Sequence, residues 1–145
     1  MTHLPHPDRQ PEFYQSVAAK RFLAWVFDTV IIILLSLIVV LLTAFVGAFI
    51  WPLLYLTVGF VYRVATIANG SATWGMRFVG VELRDAYGAR FDTGLALAHT
   101  AGYTISMAIP VLQVISVVMM LTSARAQGLT DMVLGTVAIN RRVLA

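Results

Sequence analysis

The chain has 145 residues, 59% of them hydrophobic and only 12% charged, against roughly 45–50% and 25% in an ordinary globular protein. Ten Lys and Arg against seven Asp and Glu give a formal net charge of +3, and there is no cysteine. This excludes disulfides, thiolate catalysis and Cys-ligated metal sites, and the basic residues flank apolar runs, which points to an anionic membrane face and away from nucleic acid.

Met1–Val17 contains Pro5, Pro7, Pro11, Asp8, Glu12 and two histidines. This polar, proline-broken stretch reads as a disordered cytoplasmic tail over 1–17. The apolar run behind it far exceeds the 7–15 residues of a signal-peptide core, so the first helix is expected to be an uncleaved anchor. His3 and His6 lack a third ligand, and no metal site is expected.

Thr29–Tyr62 is a run of 34 residues without a charge. With Ala18–Phe27 it is long enough for two crossings at about 20 residues each. The first helix is predicted over 18–43, with Lys20 and Arg21 at its head reaching toward lipid headgroups. A turn must fall within Ala44–Phe49. A second helix follows over 50–68, with Pro52 tolerated in its opening turn. Trp51 and Tyr55 suit one membrane interface and Tyr62 the other.

Asn69-Gly70-Ser71 ends that helix. In Arg77–Arg84, Val79, Val81 and Leu83 alternate with Gly80, Glu82 and Arg84. Asp85-Ala86-Tyr87-Gly88 is turn chemistry and Ala89-Arg90-Phe91 can return, so a β-hairpin is predicted over about 77–91. One more strand is predicted over about 135–140. Isolated strands are marginal, so the hairpin and the C-terminal strand are expected to pair, on one side of the membrane.

The second uncharged run, Thr93–Ala124, spans 32 residues. It either crosses once or forms a hairpin broken at Pro110, with helices over 94–109 and 111–124. The hairpin puts every Lys and Arg on one side, as the positive-inside rule favours, although each arm is short for a straight crossing. The expected fold class is an all-α membrane protein. It is a small transmembrane helical bundle of three or four membrane segments with a short cytoplasmic β-hairpin, residues 18–145 forming one domain and both termini cytoplasmic.

Few charges lie within lipid depth. Asp28 sits seven residues beyond Arg21, roughly 10 Å deeper on the same helical face. A carboxylate there costs a few kcal/mol unless it has a partner, water or a proton. In an antiparallel hairpin turning near residue 46, Asp28 falls opposite Arg63, with Arg21 or Arg125 as substitutes. Such a pair either fixes helix register or forms a proton or cation site. In Gly128–Thr136, Thr130 or Asp131 can cap a short helical turn that Gly135 ends, or Asp131 can meet an arginine at the rim. His99 lies among small and hydroxyl residues. It is either hydrogen-bonded packing or, if water reaches it, a candidate proton carrier.

The phrase Lys20-Arg21-Phe22-Leu23-Ala24-Trp25-Val26-Phe27-Asp28 resembles the opening of the RDD family of bacterial membrane proteins, named for one arginine and two aspartates. Arg21 and Asp28 match the first two. Gly128-Leu129-Thr130-Asp131-Met132-Val133-Leu134-Gly135-Thr136-Val137 is similar to the closing motif, which makes Asp131 the second aspartate. Gly70-Ser71-Ala72-Thr73-Trp74-Gly75-Met76 is similar to the family's Gly-x-x-Thr-x-Gly-Lys loop, with Met76 in place of its lysine. His99 stands where relatives often have arginine. The resemblance implies an inner-membrane, multi-pass protein with a cytoplasmic N-terminus. For some members it implies exchange of cations for protons.

Two functional classes follow. One is an oligomeric carrier in which Asp28, with His99 or Arg63, handles an ion or small ligand. The other is a non-transporting structural or assembly subunit that packs Ala98, Gly102 and Ser106 against a larger membrane complex. No spacing of Ser, His and Asp suggests a nucleophile with its base, and Gly75, Gly80 and Gly88 form no phosphate loop. Neither an enzyme nor a cofactor is expected. The expected partners are the lipid bilayer and either further copies of the chain or a larger complex.

Overall fold

The first uncharged run folds into two long helices joined by a sharp reversal. A computed structural model describes residues 4–140. Helix α1 (Val17–Leu42) has 26 residues, about 39 Å at the α-helical rise. After a four-residue turn, α2 (Val46–Phe49), helix α3 (Trp51–Ala68) has 18 residues, about 27 Å. Both are long and apolar enough to cross a membrane, and their ends agree with the sequence reading to within one residue. Ala44 and Phe45 have φ of 52° and 68°, a left-handed backbone that non-glycine residues adopt at a cost and that turns the chain back here. On α1 the buried positions Ala24, Asp28, Ile32, Ser36 and Val40 recur every four residues, while Leu34, Leu41 and their neighbours stay exposed. That stripe packs on α3, and the remaining faces are apolar surface for lipid.

The expected local hairpin does not form. Thr73 caps a short helix α4 (Trp74–Val79) by accepting the Met76 N–H at 3.2 Å, and Gly80 ends it at φ 80°. Only Val81–Arg84 is extended, as β1, and residues 89–91 make no strand. Ser71 is the reason. Its backbone carbonyl accepts the Leu83 N–H at 2.7 Å and its hydroxyl donates to the Leu83 carbonyl at 2.5 Å, which occupies one edge of β1. The same hydroxyl accepts the Phe91 N–H at 2.9 Å, so the backbone of Phe91 is tied to Ser71 and makes no ladder with β1. Glu82, on the strand face opposite Val81 and Leu83, is fully buried and paired with Arg84 and, at 3.7 Å, Arg90.

The other edge of β1 takes the C-terminal strand β2 (Val137–Asn140), antiparallel, with Val81 opposite Asn140 and Arg84 opposite Val137. This is the long-range pairing that the sequence suggested. Between the strands, α5 (Thr93–Ala108) and α6 (Pro110–Thr122) meet at Ile109, where the chain direction turns by 117°. With 16 and 13 residues they reach about 24 and 20 Å, each short of a roughly 30 Å hydrocarbon core. Because β1 and β2 are hydrogen-bonded to each other, the chain that leaves the sheet through α5 comes back to it through α6. Pro110 opens the second arm of the bent pair, so the break falls at the position the sequence offered for it. A last short helix, α7 (Leu129–Leu134), leads into β2.

Nor is the N-terminal stretch disordered from residue 4 onward. A 3-10 turn at Pro11–Phe13 packs Phe13 and Tyr14 on Val137 and Ile139 of the sheet. Asn140 donates to the carbonyls of Glu12 at 2.7 Å and Gln15 at 2.8 Å, and accepts from Lys20 at 2.7 Å. Lys20 thus ties the head of α1 to β2 and is not a free headgroup contact. His3, Arg141 and Arg142 lie outside the described residues.

Candidate functional site

Asp28 lies on the buried stripe of α1, with 1% of its surface exposed. A carboxylate there must be answered by donors, and three neutral ones reach it. The Tyr62 hydroxyl donates to Oδ1 at 2.6 Å, the Gly75 backbone N–H to Oδ1 at 2.9 Å, and the Thr73 hydroxyl to Oδ2 at 2.7 Å. Arg63 is also present, with Nη1 4.0 Å from Oδ2. The Asp28–Arg63 pairing read from the hairpin register is therefore found, but the hydrogen bonds are much closer. Thr73 and Gly75 stand at the start of α4, where free N–H groups favour a negative charge. The Gly-x-x-Thr-x-Gly loop thus binds an anion that is the protein's own carboxylate.

Gly75 is required for that approach: a Cβ there would fall 2.4 Å from the Ala24 carbonyl oxygen and 2.8 Å from Asp28 Oδ1. Tyr62, assigned to an aromatic belt by position alone, is instead buried against Asp28 and stacks edge-on with Trp74. Arg77, beside the missing lysine, donates to the carbonyls of Thr66 at 2.9 Å and Asn69 at 3.3 Å. It caps the C-terminal end of α3, where a cation complements the helix dipole.

Asp131 is equally buried but held differently. Arg21 Nη1 lies 2.5 Å from Oδ2, His99 Nε2 lies 3.0 Å from Oδ1, and the Thr136 hydroxyl donates to Oδ1 at 2.7 Å. The helix cap is Gly128, whose N–H donates to Asp131 Oδ2 at 3.1 Å, so neither Thr130 nor Asp131 occupies the cap position itself. Gly135, at φ 72°, ends the turn as expected. Burial alone would raise the Asp131 carboxyl. The Arg21 guanidinium and the His99 hydrogen bond outweigh that and hold it far below the usual carboxylate range. Arg21 and Asp131 therefore pair with each other. Arg21 is not a substitute partner for Asp28, and Arg125 lies beside Tyr14 instead. His99 serves Asp131 and not Asp28.

A cavity of about 600 Å³ lies between α1, α3 and the bent α5–α6 pair, and Asp28, Arg63, Arg21, His99 and Asp131 all line it. Tyr103 of α5 ties Arg63 of α3 to Trp25 of α1. Its hydroxyl accepts from Trp25 Nε1 at 2.6 Å and from Arg63 at 3.2 Å, and the Arg63 guanidinium sits 4.1 Å from the Tyr103 ring centre. Most of the remaining wall is apolar. Two of the three small residues expected to form an external docking face are used within the protomer. Gly102 lets Thr130 approach so closely that a Cβ would lie 2.6 Å from its Cγ2, and Ser106 lines the cavity. Ala98 remains exposed.

These features define a small multi-pass helical membrane protein built around two buried aspartates, one for each half of the chain. The RDD family profile matches residues 16–135, and the chain belongs to the RDD family. No curated protein and no solved structure matches it.

Proposed function

We propose that the protein is a non-enzymatic carrier that takes an ion or small ligand into the intramembrane cavity. The observation that supports this is that the cavity is lined by both charge clusters at once. A purely packed bundle would have closed that space with side chains. The handling of charge falls to His99 and Asp131. Asp28 has three short hydrogen bonds and a neighbouring guanidinium, and it acts as an architectural anchor.

One protomer offers a pocket and two crossing helices, so translocation belongs to an oligomer. The orientation is N-terminus in the cytoplasm, in the inner membrane of a bacterium. What supports it is the arginine distribution: the sequence between Thr29 and Tyr62, and again between Thr93 and Ala124, holds no Lys or Arg, so the far side of the bundle has none. Cation-for-proton exchange is the first activity to test. Vesicles containing purified protein and an internal pH dye are expected to alkalinise or acidify when an external monovalent cation is added. His99→Gln should reduce that response at least tenfold.

The subunit reading has one observation in its favour, the full satisfaction of both carboxylates within the chain. Gentle-detergent purification separates the two readings. A homo-oligomer with cation-dependent proton movement supports the carrier; a stoichiometric larger partner and silent vesicles support the subunit.

A further inference from the structure

We propose that the cavity is a binding site for an uncharged single-chain amphiphile, with a hydroxyl or carbonyl head, that enters from the lipid between α1 and α6. Charge balance speaks first. Arg21 offsets Asp131 and Arg63 stands beside Asp28, and each carboxylate has further hydrogen bonds from the protein itself. An ionic head beside Ser106 and Gln113, with Ser106 seven residues (about 10 Å) along α5 from the His99–Asp131 cluster that handles charge, would be an uncompensated charge against an apolar wall, which is strongly unfavourable.

Uncharged polar groups are what the wall leaves over. Ser106 is only 5% exposed, yet it and Gln113 line this space, and neither side chain makes a hydrogen bond within the described residues. A hydroxyl donates and accepts, and so does a primary amide, so the two suit an alcohol, ester or ketone. A buried polar atom without a partner destabilises the fold unless something else satisfies it.

Access speaks second. Helix α6 packs on α5 and α7, while α1 packs on α3 and α4. Phe22 of α1, 63% exposed, and Leu121 of α6, 70% exposed, both line the cavity and both face outward. The rim is therefore apolar on its membrane side. Water gains little in a space so lined, whereas an acyl chain passes from lipid to protein without leaving an apolar medium. The volume lies within the range of small-molecule sites. The inference rests on the reading of the cavity as a ligand site but not on transport. Binding is measured at equilibrium, without a gradient, so a silent vesicle assay and an empty cavity give different results.

Trp25 lines the cavity and reports on its contents. The other two tryptophans, Trp51 and Trp74, are replaced by Phe, and the protein is placed in phosphatidylcholine nanodiscs. A brominated monoacylglycerol is expected to quench Trp25 saturably, and the unbrominated ester to compete. Gln113→Leu should weaken binding at least tenfold. Ser106→Ala should do the same while leaving the melting temperature unchanged or higher, because it removes a hydroxyl without a partner. A brominated fatty acid at pH 8 should bind at least tenfold more weakly than the ester. Quenching that rises linearly with bromolipid, or that neither variant alters, would overturn the site. Equal binding of the carboxylate would overturn the assignment of an uncharged head.

Discussion

The two buried aspartates solve one problem in opposite ways. Asp28 is answered chiefly by dipoles: two hydroxyls and a backbone N–H at the start of α4, with Arg63 at 4.0 Å. Asp131 has a direct ion pair, with Arg21 at 2.5 Å, beside the ring of His99 at 3.0 Å and donors from Thr136 and Gly128. A carboxylate held by neutral donors keeps most of its support when one cation leaves. One held by a direct pair does not, and its partner is left as a buried charge of its own. Asp28 thus joins α1 to α3 and α4, and Asp131 joins α1 to α5 and α7.

The largest effect is therefore expected at the ionic cluster. Arg21→Met removes the direct ion pair and leaves buried Asp131 with only His99, the Thr136 hydroxyl and the Gly128 N–H, and should lower unfolding free energy by about 3–5 kcal/mol. Arg63→Met should cost only about 1–2 kcal/mol, because three hydrogen bonds to Asp28 remain. Denaturant titration in detergent compares the two directly. Equal losses would erase the distinction between the clusters. Next in size is Gly75→Ala, which forces a methyl group into the Ala24 carbonyl oxygen. About 1–3 kcal/mol is expected, with the Asp28 side displaced. A drop of the same size in Ser71→Ala would instead mark the loop as a whole, and not the carboxylate contact, as the sensitive element.

Much of this frame was legible in residue order alone. The uncharged runs gave helix ends to within a residue, and antiparallel register brought Arg63 to Asp28. What stayed hidden was α4. Alternation from Arg77 to Arg84 has period two, and a six-residue helix overlapping its first half leaves no 3.6-residue signature to oppose it. The available signal was punctuation: Thr73 at the cap and Gly80 just past the end bracket Trp74–Val79. Missing α4 meant missing Thr73 and Gly75 as donors, and so the cation in register looked like the whole answer. The Arg21–Asp131 contact bridges 110 positions of chain, and only the family motifs hinted that these residues act together. His99 was assigned to the wrong carboxylate for a related reason. No local pattern says which acid the fold of α7 will present to α5.

The finest test of the comparison is in acid. The folded-state Asp131 carboxyl is held below its ordinary value of 3.8, so the unfolded chain takes up its proton first as pH falls. The stability it contributes is complete above that value and is lost as pH drops through it toward the lower folded value. Melting temperature in detergent should therefore decline below about pH 4. Part of that decline should be absent in Asp131→Asn, whose side chain cannot titrate. Tyr62→Phe, which removes a neutral donor from the other cluster, should lower stability by about 1–2 kcal/mol. An acid decline that Asp131→Asn leaves untouched would overturn the assignment of the ion-paired carboxylate as a group that ties this bundle's stability to protons.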